Sequence, residues 1–221
     1  MKLPVACEPL DELLGGGVEA GAITLLYGEA GTGKTNFCLQ LAREATLKGK
    51  GKVAYVDSEG VSMERLSQIA GDDAQKVAKN ILFFSPQSLD EQVRMVKALD
   101  KIQDPALLIV DSLNMYYRLE LASMGSDEVG RALTNILGAL LKISRGQEVP
   151  VVVTGQVYSA EEGSKAFGGR IMEHIVKAIV RLDRLGPGVR RATLLKHRSL
   201  GEGRQAEFYL TGTGLSPTPL P

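Results

Sequence analysis

Gly28-Glu-Ala-Gly-Thr-Gly-Lys-Thr35 decides the fold. The octapeptide fits G-x-x-x-x-G-K-[ST], a loop whose main-chain N–H groups cradle phosphate. Its flanks agree. Ala22-Ile-Thr-Leu-Leu-Tyr27 is an apolar run of strand length, and Phe37, Leu41 and Ala45 recur at helical spacing in the stretch that begins at Asn36. Strand, glycine loop and helix, in that order, aim a helix N-terminus at an anion. Gly28, Gly31 and Gly33 let the backbone curl close to the phosphates, with Glu29, Ala30 and Thr32 filling out the cradle. Lys34 is the residue to reach the β- and γ-phosphates, and Thr35 the one to hold Mg²⁺.

Outward from this loop, strand-like and helix-like segments alternate. Residues 52–57, 81–84, 106–111 and 149–154 are apolar runs of strand length. Between them, 62–70, 72–78, 88–102 and 126–145 carry helical patterning. Ser88 with Glu91 three residues on is a capping-box pattern. The alternation predicts an α/β fold with a mostly parallel twisted sheet flanked by helices. After residue 157 the pattern changes. A polar loop over 158–170 precedes three strand-like runs, 176–183, 190–197 and 206–210, joined by turns at 186–188 and 201–203. Such connections are too short for parallel crossovers, so antiparallel strands are expected at the C-terminal end. Residues 10–17 read as one helical turn stopped by glycines, and 216–221 as a frayed proline-rich tail. The expectation is a single domain over 1–221, with no separate N-terminal domain.

Composition excludes several classes. The 26 Lys and Arg balance the 26 Asp and Glu. Bulk charge therefore does not announce a nucleic-acid binder, and such a role needs a local patch. Cys7 and Cys38 have neither metal-ligand spacing nor the numbers for a disulfide framework, which suits a reducing cytoplasm. No apolar run is long enough to cross a membrane, and no signal peptide is evident.

The strand ends carry the chemistry. Asp111 closes the apolar run Ala106-Leu-Leu-Ile-Val-Asp111, where a carboxylate can bind a Mg²⁺ water beside Thr35. Glu59 ends the strand 52–57, which is expected to lie next to the strand of the glycine loop so that the carboxylate can face the γ-phosphate. It is the candidate general base for an attacking water, against the plainer reading of an exposed turn glutamate. Gln156 follows the fifth strand. It is either a sensor of the γ-phosphate, passing its state to residues 157–170, or an ordinary polar strand-end residue.

The C-terminal third is locally basic. Lys177, Arg181, Arg184, Arg190, Arg191, Lys196, Arg198 and Arg204 face only Asp183 and Glu202, an excess of six positive charges. Three readings stand: a DNA-phosphate surface, a subunit interface, or a solvated face offset by acids from elsewhere. On a strand, Lys196 and Arg198 would project to one face and His197 to the other, a pair able to complete a neighbouring copy's nucleotide site in trans.

Taken in order, Leu10-Asp-Glu-Leu-Leu-Gly-Gly-Gly17, Gly28–Thr35, Tyr55-Val-Asp-Ser-Glu-Gly60, Leu108-Ile-Val-Asp-Ser112 and Val153-Thr-Gly-Gln-Val157 resemble the RecA/RadA recombinase ATPase core, over nearly the whole chain. The resemblance implies ATP and Mg²⁺ as ligands, Glu59 as catalytic base, and Gln156 as the link from ATP to a second DNA-binding loop. It implies that Tyr117-Arg-Leu-Glu120, with Arg118, begins a first DNA-binding loop, and that Arg65 of Glu64-Arg-Leu66 packs on adenine. It implies that Lys196-His-Arg198 is a basic group reaching across a subunit interface. The helical domain and Phe-x-x-Ala linker of RadA-type recombinases have no counterpart in the sequence, and the loop after Gln156 is short. A short core with Lys-His-Arg near its C-terminus most resembles the RadB family of archaeal RadA paralogues. That implies single- or double-stranded DNA, a RadA recombinase, a Holliday-junction resolvase and a repair DNA polymerase as partners, a homo-oligomer among the assemblies, and a cytoplasmic protein that joins the nucleoid when bound to DNA. The resulting expectation is a recombination accessory with weak ATPase activity. The competing expectations are a KaiC-like regulatory ATPase acting through protein contacts, and a non-catalytic scaffold ordered by ATP.

Overall fold

The structure, a computed structural model, describes residues 1–48, 51–124, 126–156, 172 and 174–219. A small antiparallel pair, β1 (Lys2–Leu3) and β2 (Val18–Glu19), brackets α1 (Glu8–Leu13). The main sheet then begins with β3 (Ile23–Tyr27), which runs through the glycine loop into α2 (Lys34–Lys48). β4 (Val53–Asp57), α3 (Met63–Ala70), α4 (Ala74–Asn80), β5 (Ile81–Phe84) and α5 (Leu89–Ala98) follow. Next come β6 (Leu107–Asp111), α6 (Met115–Met124), α7 (Ser126–Gly146) and β7 (Val151–Gly155). The chain closes with β8 (Ala178–Arg184), β9 (Val189–His197), β10 (Gln205–Thr211) and β11 (Gly214–Ser216).

The sheet has nine strands in the order β11-β10-β9-β8-β3-β7-β6-β4-β5. From β8 to β5 every neighbouring pair is parallel, and from β8 to β11 every pair is antiparallel. The expected fold class is therefore the observed one, but β4, expected beside β3, lies beyond β7 and β6, because the chain steps outward first and β6 and β7 later fill the gap.

The central strands are apolar throughout because helices cover both sheet faces. Alternate residues divide between two cores. Leu26, Tyr55, Ile109 and Val152 pack with Phe37 and Leu41 of α2 and with Leu66 of α3. Leu25, Ala54, Val56, Val110 and Val153 pack with Val96 of α5 and with Leu133, Ile136 and Leu140 of α7. Right-handed crossovers explain the division. The chain steps outward from β3 to β4 and β5 by way of α2, α3 and α4, and returns to β6 and β7 by way of α5 and α7. All the parallel strands then end on one edge, the edge where such sheets bind ligands.

Local departures from the expected boundaries have local causes. α2 starts at Lys34, two residues earlier than the apolar spacing suggests, because the loop feeds directly into the helix. α5 ends at Ala98 in a 3₁₀ turn over Leu99–Lys101. Its N-terminus is capped as expected, Ser88 Oγ accepting from Glu91 N at 3.2 Å, but Glu91 Oε2 accepts from Gln87 N rather than from Ser88. Tyr117–Glu120 lies inside helix α6, not at the start of a loop. Ser216 is paired in β11 rather than frayed. Buried Gln40 of α2 holds that strand, its Oε1 accepting from Leu215 N at 2.7 Å and its Nε2 donating to Leu215 O at 3.3 Å. The polar loop expected over 158–170 lies outside the described residues.

Candidate nucleotide-binding site

The C-terminal ends of β3, β4, β6 and β7 bring together the loop 28–35, Glu59, Asp111 and Gln156. Gly31 (φ 75°) and Gly33 (φ 102°) adopt the left-handed conformations that a side chain resists. Gly28 is needed for space, since a Cβ there would stand 2.2 Å from Leu182 O. Lys34 is buried, and its Nζ donates to Gly28 O and Glu29 O, both at 2.8 Å. An ammonium has three donors, so one remains for an anion at the head of the helix. Burial pulls the Lys34 pKa below the usual lysine value, and the carboxylates of Glu59 and Asp111 oppose that shift.

Asp111 is 1% exposed and held from two sides. Tyr55 Oη donates to Oδ2 at 2.8 Å, and Thr154 Oγ1 donates to Oδ1 at 2.5 Å. Burial raises its pKa, while hydrogen bonds from Thr154, Tyr55 and Thr35 pull the other way. Thr35 and Asp111 therefore meet, as a hydroxyl and a carboxylate suited to a hard cation. The donor set fits Mg²⁺ arriving with a nucleotide. Among the described residues no group of three or more His, Cys, Asp or Glu is placed to hold a metal alone.

Glu59 stands on a loop that Asp57 shapes. The Asp57 carboxylate accepts from the main-chain N–H groups of Glu59, Gly60 and Val61 at 3.2, 2.8 and 2.7 Å. The exposed Glu59 carboxylate accepts from Ser112 Oγ at 2.5 Å and from Gln156 Nε2 at 3.3 Å. Gln156 Oε1 in turn accepts from Arg118 Nη1 of α6 at 2.9 Å. Its main chain is clamped by buried Asn114, which accepts from Gln156 N at 3.1 Å and donates to Gln156 O at 3.3 Å. Behind them, fully buried Gln92 donates from Nε2 to Ser58 Oγ (2.9 Å) and to Ser112 O (3.0 Å). The chain of contacts Glu59–Gln156–Arg118 joins the candidate base to α6.

These supporting residues escaped the sequence reading. Tyr55 and Thr154 look like ordinary strand residues, and Asn114 and Gln92 like ordinary polar ones. Sheet register brings Tyr55 and Thr154 to Asp111, while the turn after β6 and helix α5 bring Asn114 and Gln92 to the strand ends.

Arg65 lies beside the loop's exit. Its Nε donates to Asn36 Oδ1 at 2.6 Å, Nη1 to Gly212 O at 2.7 Å and Nη2 to Thr211 O at 2.7 Å, tying α2 and α3 to the β10–β11 turn.

The sequence of this chain matches the pattern of the Rad51 family over residues 1–217. It belongs to the Rad51 family. Among curated relatives, it is 46% identical to the DNA repair and recombination protein RadB of Methanococcoides burtonii, with 95% of each chain covered. It is 37% identical to the RadB of Archaeoglobus fulgidus over 98% of this chain and 99% of the relative. A solved structure described as the RadB recombinase superposes with a TM-score of 0.86 at 34% identity, covering 98% of this chain and all of the other. The RecA/RadA resemblance, with its leaning toward RadB, is thus supported by sequence and by structure.

In this Rad51-family chain the basic residues of the C-terminal third separate by environment. Arg190 is 7% exposed and donates from Nε and Nη2 to Gly31 O at 3.1 and 2.9 Å. It backs the phosphate loop and is not a surface cation. Arg191 pairs with Glu207 at 2.8 Å, and Arg198 with Glu19 of β2 at 2.6 Å. Lys196 Nζ donates to Val176 O at 2.9 Å. Lys196 and Arg198 do not project together. β9 ends at His197, so Arg198 lies beyond the strand and pairs with Glu19 of β2, while Lys196 bonds to the chain just before β8. Both lie at the far end of the sheet from the loop, since His197 pairs with Ala178 and Ala178 with Thr24, whereas Tyr27 pairs with Arg181. Neither can serve the site of its own chain. No described helix is long and apolar enough to cross a membrane.

Proposed function

We propose that this chain is an ATP·Mg²⁺- and DNA-binding accessory of homologous recombination and DNA repair that hydrolyses ATP slowly and is not itself a strand-exchange recombinase. One observation carries the reading. The Glu59 carboxylate sits between Ser112 and Gln156, and Gln156 is bonded to Arg118 on the helix beyond. In that arrangement Lys34 and the loop N–H groups bind the phosphates, Thr35 and Asp111 hold the metal's shell, and Glu59 accepts a proton from the attacking water. Gln156 reports the γ-phosphate to α6 and the segment after residue 156. Bound Mg²⁺ would supply charge neutralisation at the β- and γ-oxygens. Arg65 flanks the adenine. Slow turnover follows from the scarcity, among the described residues, of cations able to reach the γ-phosphate from within one chain. Lys196 and Arg198 are remote, and Arg190 is committed to the back of the loop. Transition-state charge is then poorly offset until a second subunit contributes.

DNA, a RadA-type recombinase, a Holliday-junction resolvase and a repair polymerase are the partners this reading carries, in the cytoplasm and on the nucleoid. Fluorescence anisotropy on single- and double-stranded DNA, with and without ATP·Mg²⁺ across a salt series, tests it. Tight binding with a negative slope of log K against log [salt] is expected. Absence of binding at low salt would overturn it. A second reading, a regulatory ATPase working through protein contacts, draws support from the ion pairing of Arg191 and Arg198, which lowers the free positive charge of the C-terminal strands.

A further inference from the structure

The back of the phosphate loop rests on three successive strands of the C-terminal sheet. Gly28 faces Leu182 O of β8, at 2.2 Å from where its Cβ would be. Gly31 O receives the two Arg190 bonds from β9. Gly33 faces Leu210 of β10, at 3.0 Å from where its Cβ would be. Of these three contacts, the one through Arg190 is made by side-chain hydrogen bonds. Its remaining nitrogen, Nη1, donates to Gly186 O at 3.1 Å and Val189 O at 2.9 Å, in the β8–β9 turn. A single buried guanidinium thus joins the middle of the loop to that turn, which carries the exposed side chain of Leu185.

Every one of these bonds goes to a main-chain carbonyl. Burying a guanidinium is costly unless its donors are satisfied. Carbonyl dipoles satisfy the donors but supply no counter-charge, and Arg184 stands near enough to disfavour the charge further. An anion bound in the loop is the group that would offset it.

We propose that Arg190 is a positioning residue of the nucleotide site, a fork that locks Gly31 to the β8–β9 turn and so couples phosphate occupancy to the order of that turn. The proposal rests on the reading that the loop binds a nucleoside triphosphate. Coupling of this kind is reciprocal, so whatever orders the turn also tightens nucleotide binding.

The test combines ATP titration with hydrogen–deuterium exchange on the intact chain. The reporting amides are Leu185 N, which donates to Val189 O, and Val189 N, which donates to Gly186 O. In the wild type, saturating ATP·Mg²⁺ is expected to slow exchange at both the loop and these amides. In Arg190→Met, ATP affinity should fall about tenfold or more, the scale of a lost charged interaction. At saturating ATP the loop should still be protected while the turn is not. Arg190→Lys keeps the charge without the fork, so an intermediate affinity with reduced turn protection is expected. The Lys variant also keeps the test decisive if Arg190→Met does not fold. Arg94→Met, whose ion pairs with Asp90 and Glu91 lie on the exposed face of α5, should leave ATP affinity unchanged. Wild-type ATP affinity and turn protection in Arg190→Met or Arg190→Lys would overturn the proposal alone. A wild type that binds no ATP would overturn the nucleotide reading with it.

Discussion

Replacing Tyr55 with Phe removes one atom from the support of Asp111. The ring keeps its place against Phe83, with centroids 5.3 Å apart, so almost no cavity is created. The lost element is the hydrogen bond from Tyr55 Oη to Asp111 Oδ2, at 2.8 Å and fully buried. Such a bond to an ionised group contributes about 1.5–3 kcal/mol. In a chain of this length each kcal/mol moves Tm by roughly 2–4 °C, so a fall of roughly 3–12 °C is expected near neutral pH. The pH dependence follows from the state of Asp111. Its folded pKa lies above the unfolded value, so the native chain holds this proton more tightly, and ionising Asp111 costs stability as pH rises through that window. Tyr55→Phe withdraws a donor that favours the carboxylate, which pushes the folded pKa higher still. The variant's deficit should therefore be largest above the folded pKa. It should shrink toward about 1 kcal/mol, the worth of a neutral hydrogen bond, as acidification protonates Asp111. Thermal and denaturant melts of both proteins, from neutral pH down through the acid titration of Asp111, measure the difference. An equal deficit across that range, or none near neutrality, would refute the assignment of Tyr55 as support for a charged Asp111.

Three further outcomes are expected. Gly28→Ala drives a methyl into Leu182 O and should reduce ATP binding at least tenfold while displacing the loop from β8, read by titration calorimetry. Asn114→Leu strands the main-chain groups of Gln156 and should cost about 1–3 kcal/mol in denaturant unfolding, and it should also weaken any ATP effect on DNA affinity. The double reversal Arg191→Glu, Arg198→Glu should weaken DNA binding and flatten its salt dependence. Unchanged affinity would remove that face from the DNA surface.

The parallel core was legible because its signals are local. Each central strand is a short apolar run that alternates between two cores and ends at a residue with chemistry, and the loop 28–35 names its own ligand class. The antiparallel addition was legible from the short connections around Gly186–Gly188 and Gly201–Gly203. β11 was not, because Gly214-Leu-Ser216 has no strand pattern and owes its place to Gln40, a helix residue far away in sequence. Cations were the least legible group. Arg190 and Arg191 are neighbours on one strand and look alike, yet alternation sends one under the phosphate loop and the other to Glu207. Charge counts along the chain cannot separate them, and neither can they find Glu19, whose carboxylate engages Arg198 from the other end of the sequence. The same limit hid Tyr55, Thr154 and Asn114, which matter only through partners on adjacent strands or loops.

The central claim is that the ends of β3, β4, β6 and β7 form one ATP·Mg²⁺ site, with Lys34 on the phosphates and Asp111 on the metal's shell. Its most direct test is an ATP titration of the wild type, Lys34→Ala and Asp111→Asn, each with and without Mg²⁺. The account predicts that the wild type binds and gains affinity from Mg²⁺. Lys34→Ala should lose binding under both conditions, and Asp111→Asn should keep the metal-free affinity but lose the gain. Equal binding by all three proteins, or a Mg²⁺ gain that survives in Asp111→Asn, would contradict it.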